Sequence, residues 1–120
     1  MDNAVYVDGK RDSEPESLEV TYELLRDKHG MGWIGLYRPD AAEVQSVAEE
    51  FEIRPLAVED TVMAHQRPKL ERYDNVLFTV LRPARYLDDV ERIEFGELHV
   101  FTGPEFVVTV RHAESYCVRW

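Results

Sequence analysis

Three strand-sized apolar runs occupy the last third of this sequence: Val76–Leu81, residues 94–101 and residues 106–110, all rich in β-branched and aromatic side chains. A chain that makes three such strands in succession must build a sheet, and the apolar face of that sheet must be covered. The four-residue connection Thr102-Gly103-Pro104-Glu105 predicts a C-terminal antiparallel hairpin between the last two runs. Asp88-Asp89 marks a turn between the first two, which should also pair antiparallel.

Upstream the period changes. Residues 4–7 read as a short strand and residues 8–16 as a polar loop. Leu18, Tyr22 and Leu25 then recur at helical spacing, with Gly30 beyond them as a stop. Residues 32–37, ended by Pro39, read as a buried strand. Asp40 with Glu43 three residues on makes a capping box, and Val44, Val47, Ala48 and Phe51 form one apolar stripe behind it. Ile53-Arg54 breaks that helix. Pro55 suits the first turn of the next, predicted over residues 55–64 and forced to end before Pro68. The order β-α-β-α-α-β-β-β predicts an α/β fold in one domain over residues 1–120: a mixed parallel and antiparallel sheet flanked by helices, an α/β/α sandwich.

Composition narrows the function classes. Cys117 is the single cysteine, so an internal disulfide is excluded. No apolar run approaches the ~20 residues that cross a bilayer, and the first residues lack a signal peptide's basic start and apolar stretch. A soluble domain of a reducing compartment is expected. Fourteen Lys and Arg against 24 Asp and Glu leave a formal net charge of −10. Such a surface repels phosphate backbones and anionic headgroups and attracts cations, so no nucleic-acid partner is expected.

The residues offer little catalysis. Gly30, Gly32 and Gly35 fit no phosphate-cradling loop, and neither Asp12-Ser13 nor Glu114-Ser115 sits in a nucleophile elbow, so the chain does not read as an enzyme. His29 falls at a helix C-terminus, where a cation complements the dipole. Glu97 and His99 are two apart on a strand and share a face, which suits a solvent-facing polar pair or, alternatively, a shared cation. Glu59 and Asp60 are adjacent carboxylates on a short helix, about 100° apart around its axis. By themselves they read as a solvated helix face, or as partners of Arg67 or Lys69.

The run Phe51-Glu52-Ile53-Arg54-Pro55-Leu56-Ala57-Val58-Glu59-Asp60, followed by His65-Gln66-Arg67-Pro68-Lys69, resembles the N-terminal cytosolic domain of CorA-type magnesium and cobalt transporters. The resemblance continues through Tyr73 and the three C-terminal strands, over roughly residues 32–112, with Arg54 standing where the family usually has His. It implies a fragment of a longer membrane protein, on the cytoplasmic side of the cell membrane. Its partners would be its own C-terminal stalk and transmembrane helices and further copies of itself in a homopentamer. The pore's Gly-Met-Asn signature is absent, since Gly30-Met31 is followed by Gly32. The resemblance places Asp60 at the family's metal-sensing carboxylate and Glu59 beside it as an accessory ligand. The expected ion is Mg²⁺, with Co²⁺ or Zn²⁺ as alternatives, bound weakly between subunits to hold the pore closed. A zinc-efflux branch of the same superfamily and a stand-alone soluble interaction or sensor module are the alternative readings.

Overall fold

In the computed structural model, which describes residues 2–62 and 67–111, β1 (Asp2–Val7) and β2 (Lys10–Ser13) form a hairpin around Asp8-Gly9. Both turn residues have positive φ, 53° and 77°, which two-residue hairpin turns require. The polar loop expected over residues 8–16 therefore contains a strand. Its alternation is charged rather than apolar because β2 is an edge strand.

Helix α1 (Leu18–Lys28) starts where the Ser17 hydroxyl accepts the Val20 N–H at 3.3 Å, and it ends on His29 in the left-handed conformation. After β3 (Met31–Tyr37), the Asp40 carboxylate accepts the Glu43 N–H at 2.8 Å and opens α2 (Ala41–Phe51), as the capping pattern predicts. Next come α3 (Pro55–Val62), β4 (Lys69–Tyr73), β5 (Val76–Leu81), β6 (Ala84–Leu87), β7 (Arg92–Phe95), β8 (Leu98–Thr102) and β9 (Phe106–Arg111). His65 and Gln66 lie outside the described residues.

Seven strands form one sheet in the order β2-β1-β3-β9-β8-β5-β4, while β6 and β7 pair apart as a ribbon. The β3–β9 pair is parallel and the other pairs are antiparallel, so the sheet is mixed as expected. The C-terminal hairpin is β8–β9, and the Gly103 N–H bonds the Phe106 carbonyl at 3.0 Å across its turn. A Cβ at Gly103 would overlap the Phe106 ring, so only glycine fits beneath it.

Two further features differ from expectation. Residues 94–101 are not one strand: Glu94-Phe95 closes the ribbon and Leu98 opens β8. The Gly96 N–H, bonded to the Pro83 carbonyl at 2.8 Å, pins the break. Asp88-Asp89 accordingly lies in the connection between β6 and β7, while β5 and β8 pair antiparallel without it. The edge strand β4 was not anticipated. Lys69, Glu71 and Arg72 give it too little apolar character to register.

Cross-strand register puts Ile34, Leu36, Val76, Phe78, Val80, Phe101, Phe106, Val108 and Val110 on one face of the sheet, all buried. Tyr22 of α1, Val47 and Ala48 of α2 and Ala57 of α3 pack into the same core. Tyr22 meets Phe51 edge-on with ring centroids 5.6 Å apart, and Phe51 stacks on Phe106 at 4.3 Å. Leu25 of α1 lies on Gly32, where a Cβ would come within 2.7 Å of its Cδ1. All three helices thus cover the same face. Among the described residues the layering is therefore helices on one side of a mixed sheet and not the α/β/α sandwich expected, because every apolar helix stripe meets the one apolar sheet face. The other face shows Trp33 and Tyr37, each 40% exposed, with the guanidinium groups of Arg38 and Arg111 against the Tyr37 ring.

This partition sets the expected energetics. Phe78→Ala should lower unfolding stability by about 3–5 kcal/mol in urea titrations, and the exposed Tyr86→Ala should change it by less than about 0.5 kcal/mol. Burial, the dominant cause, raises the Tyr22 hydroxyl above its ordinary value; Ser46 opposes the shift and Glu50 adds to it. A raised folded-state value favours folding below the unfolded value of about 10 and is lost as pH climbs past it. Between pH 9 and 11 the wild type should therefore lose more stability than Tyr22→Phe, measured by thermal unfolding at each pH.

Candidate functional site

Helix α3 carries the acidic pair, and the turn before it fixes where it starts. The α2 cap Glu52 adopts left-handed φ of 55°, its N–H bonds the Ala48 carbonyl, and the Ile53 N–H joins the same oxygen at 2.9 Å. The Arg54 carbonyl then accepts the N–H groups of Ala57 and Val58 at 3.0 and 3.2 Å, and Pro55, which has no N–H to lose, fills the first helical position. Eight residues make only about two turns, too few to persist without tertiary support.

That support comes from Ala57 and Thr61, four apart and both fully buried. Leu56, by contrast, is 60% exposed. The Glu59 carboxylate is exposed, and among the described residues no hydrogen bond or ion pair engages it. Asp60 occupies the helix position between Glu59 and Thr61. Neither of the cations expected as partners is seen on Glu59: Lys69 lies 3.0 Å from Glu71 and over the Phe78 ring, and Arg67 is exposed. Arg54 approaches Asp74 at 3.7 Å, an exposed contact worth little.

Between α2 and α3 lies an open cleft of about 540 Å³ with Ala48, Ile53 and Val58 beneath and Glu49, Glu52 and Glu59 among its rim residues. Arg54 also lines it, so three carboxylates and one guanidinium surround its apolar part. Among the described residues no cluster of three or more His, Cys, Asp or Glu side chains is placed to hold a metal ion. A cation at Glu59 and Asp60 would consequently need further oxygen donors.

The second sequence candidate is placed otherwise than expected. Glu97 and His99 do share a face, but it is the helix-covered face, where they are 4% and 0% exposed rather than turned to solvent. His99 Nε2 lies 2.6 Å from Glu97 Oε2, and Arg82 Nη1 lies 3.3 Å from Glu97 Oε1. On the other side of the ring, His99 Nδ1 lies 2.9 Å from Thr61 Oγ1. An ionised carboxylate only accepts, so Nε2 carries the hydrogen toward Glu97. In the neutral ring Nδ1 then accepts the Thr61 hydroxyl proton. Phe78 meets the imidazole edge-on at 5.3 Å. The arrangement closes a polar chain across the core from Arg82, just past β5, through β8 to α3. With Thr61 and Glu97 filling the positions beside both ring nitrogens, the imidazole offers no vacant site to a metal. Period-2 spacing correctly put Glu97 and His99 together. It could not reveal that α3 would lie over them, nor did anything in the sequence mark Thr61.

Comparison with known proteins agrees with this architecture. The family described as "CorA-like Mg2+ transporter protein" matches residues 28–119. YfjQ of Bacillus subtilis (strain 168), named for metal ion transport, is 36% identical over 83 residues, 69% of this chain and 25% of its own length. The cobalt/magnesium transport protein CorA of Thermotoga maritima is 40% identical over 73 residues, 58% of this chain and 20% of its own. The chain thus spans a quarter or less of either relative. The soluble domain of CorA from Methanocaldococcus jannaschii superimposes with a TM-score of 0.60 at 13% identity, over 91% of this chain and 39% of that one. Among the described residues no helix is long and apolar enough to cross a membrane.

The two acidic positions should respond differently to neutralisation. Glu97→Gln, which weakens a buried charge-assisted chain, should cost about 1–3 kcal/mol of stability, and Glu59→Gln less than about 0.5 kcal/mol, both read by chemical denaturation.

Proposed function

We propose that this chain, which belongs to the CorA-like Mg²⁺ transporter family, is the metal-sensing domain on the cytoplasmic side of a membrane transporter for divalent cations. Its role is regulatory and not enzymatic. Asp60 and the adjacent Glu59 form half of a site, completed by oxygen donors of a neighbouring protomer or of the chain beyond Trp120, in a homopentameric assembly. The observation that carries this reading is the state of Glu59: exposed on a helix held by its opposite side, and engaged by no cation of the described residues.

The physics favours a weak, shared site. Mg²⁺ keeps several waters and takes only one or two carboxylates directly. Carboxylates brought to about 4 Å across an interface repel by about 1–4 kcal/mol near a surface. A dication between them turns that repulsion into attraction, and its departure releases the interface. One site at ten times its dissociation constant stabilises the bound state by about 1.4 kcal/mol, whereas moving a gate from mostly open to mostly closed takes about 5.5 kcal/mol. Several equivalent interfaces acting together supply the difference, so low affinity and symmetry serve the same end. Co²⁺ or Zn²⁺ would meet the same oxygen donors.

The test uses the full-length protein that carries this chain, with protease sensitivity of the ring followed against Mg²⁺. Asp60→Ala should raise the Mg²⁺ concentration for half-protection about tenfold, equivalent to about 1.4 kcal/mol, with a smaller rise for Glu59→Ala. Unchanged protection in both variants refutes the assignment. Calorimetry on the 120-residue chain alone should show no tight, stoichiometric Mg²⁺ binding, since half of each site is missing.

A further inference from the structure

We propose that the buried chain Arg82–Glu97–His99–Thr61 is the positioning device of α3, and that His99 is the positioning residue that orients the Glu59–Asp60 pair. The inference rests on the sensor reading above, and it concerns how the pair is held rather than what it binds.

Two features of α3 call for such a device, its length and the small size of its inward contacts. The helix has eight residues, and its inward contacts are small: the single methyl of Ala57, the side chain of Thr61 and, at the flank, the partly buried Val58. Methyl groups against a sheet resist separation but scarcely resist rotation about the helix axis. A helix turns 100° per residue, so a modest rotation displaces an outward carboxylate by several ångströms. A hydrogen bond is directional, and the 2.9 Å contact from Thr61 Oγ1 to His99 Nδ1 fixes the angular setting of α3 one residue from Asp60.

The remainder of the chain makes that bond firm. The Glu97 carboxylate, 2.6 Å from Nε2, sets the tautomer and the ring plane, as a carboxylate behind a histidine does where orientation matters. Arg82 at 3.3 Å lies against the other oxygen of that carboxylate, and Phe78 packs edge-on to the imidazole at 89°. An apolar pair at these positions would hold the layers together with no charge to bury, and such replacements are often neutral or stabilising. What the polar chain adds is a preferred angle.

Thr61→Val tests this, because it keeps the shape and removes the hydroxyl, and Thr61→Ser restores the hydroxyl without the methyl. In the full-length protein, amide hydrogen exchange is followed for α3 and β5 peptides alongside Mg²⁺-dependent protease protection. Thr61→Val should speed α3 exchange about tenfold while β5 stays within about twofold, and should raise the half-protecting Mg²⁺ concentration about three- to tenfold. Thr61→Ser should return both readings to within about twofold of wild type. Equal acceleration of α3 and β5, or no rescue by serine, would mean that Thr61 serves only global packing and overturns the proposal. Faster α3 exchange with unmoved Mg²⁺ protection, in a protein where Asp60→Ala does shift it, overturns the positioning role. If Asp60→Ala also leaves protection unmoved, the sensor reading is what has failed, and the positioning role falls with it.

Discussion

The parallel ladder between β3 and β9 is the constraint on which the rest of the structure hangs. It runs from Gly32 opposite Phe106 to Tyr37 opposite Arg111. Backbone bonds from Gly32 to Glu105 and from Arg38 to Arg111, 2.9 and 2.8 Å, extend it at both ends. Parallel neighbours cannot be joined by a tight turn, so the chain after Tyr37 must cross over the sheet before it can return to pair at Phe106. That intervening chain supplies α2, α3 and the three remaining strands of the β9 side. Once the ladder is formed, the N-terminal hairpin and the C-terminal meander become a single surface, and α1, α2 and α3 can share its apolar face.

The consequence for function is a helix with two unlike sides. Inward, α3 offers Ala57 and Thr61 to a dry core and meets one directional polar contact there. Outward, it adds Glu59 to an acidic cleft with Glu49 and Glu52, on a chain whose formal charge is −10. The first side gives rigidity and the second gives attraction for cations. A site proposed to report ion concentration by weak binding depends on both, since a carboxylate free to swing loses conformational entropy each time an ion arrives. Arg82, the basic end of the buried chain, neighbours the internal carboxylate Glu97 rather than the external ones, which leaves the outward charge intact.

Much of this could be read from residue order. The Asp40 capping box, the α2 stripe, Pro55 as the opening of α3 and the hairpin around Gly103 are local patterns, and each sits where the pattern puts it. The Asp8-Gly9 dipeptide is an equally local hairpin signal that a charged β2 obscured. The family resemblance, carried by residues 51–60 and 65–69, agrees with the family match and with the superimposed fold. For the Glu97–His99 pair the local pattern failed because of burial. Glu97 and His99 are polar, and alternation alone assigns polar residues to water.

Residue order was enough for the three helices, the strongly apolar strands, the Asp40 cap and the adjacent acidic pair on a short helix, because each follows from interactions among residues a few positions apart. Tertiary structure alone decided which face of the sheet receives the helices, that β3 pairs with β9 across the length of the domain, and that Thr61, 38 residues from His99, becomes its partner. Such contacts depend on where two distant backbones come to rest. No propensity or period of either segment encodes that, because the energy that selects it belongs to the packed core as a whole.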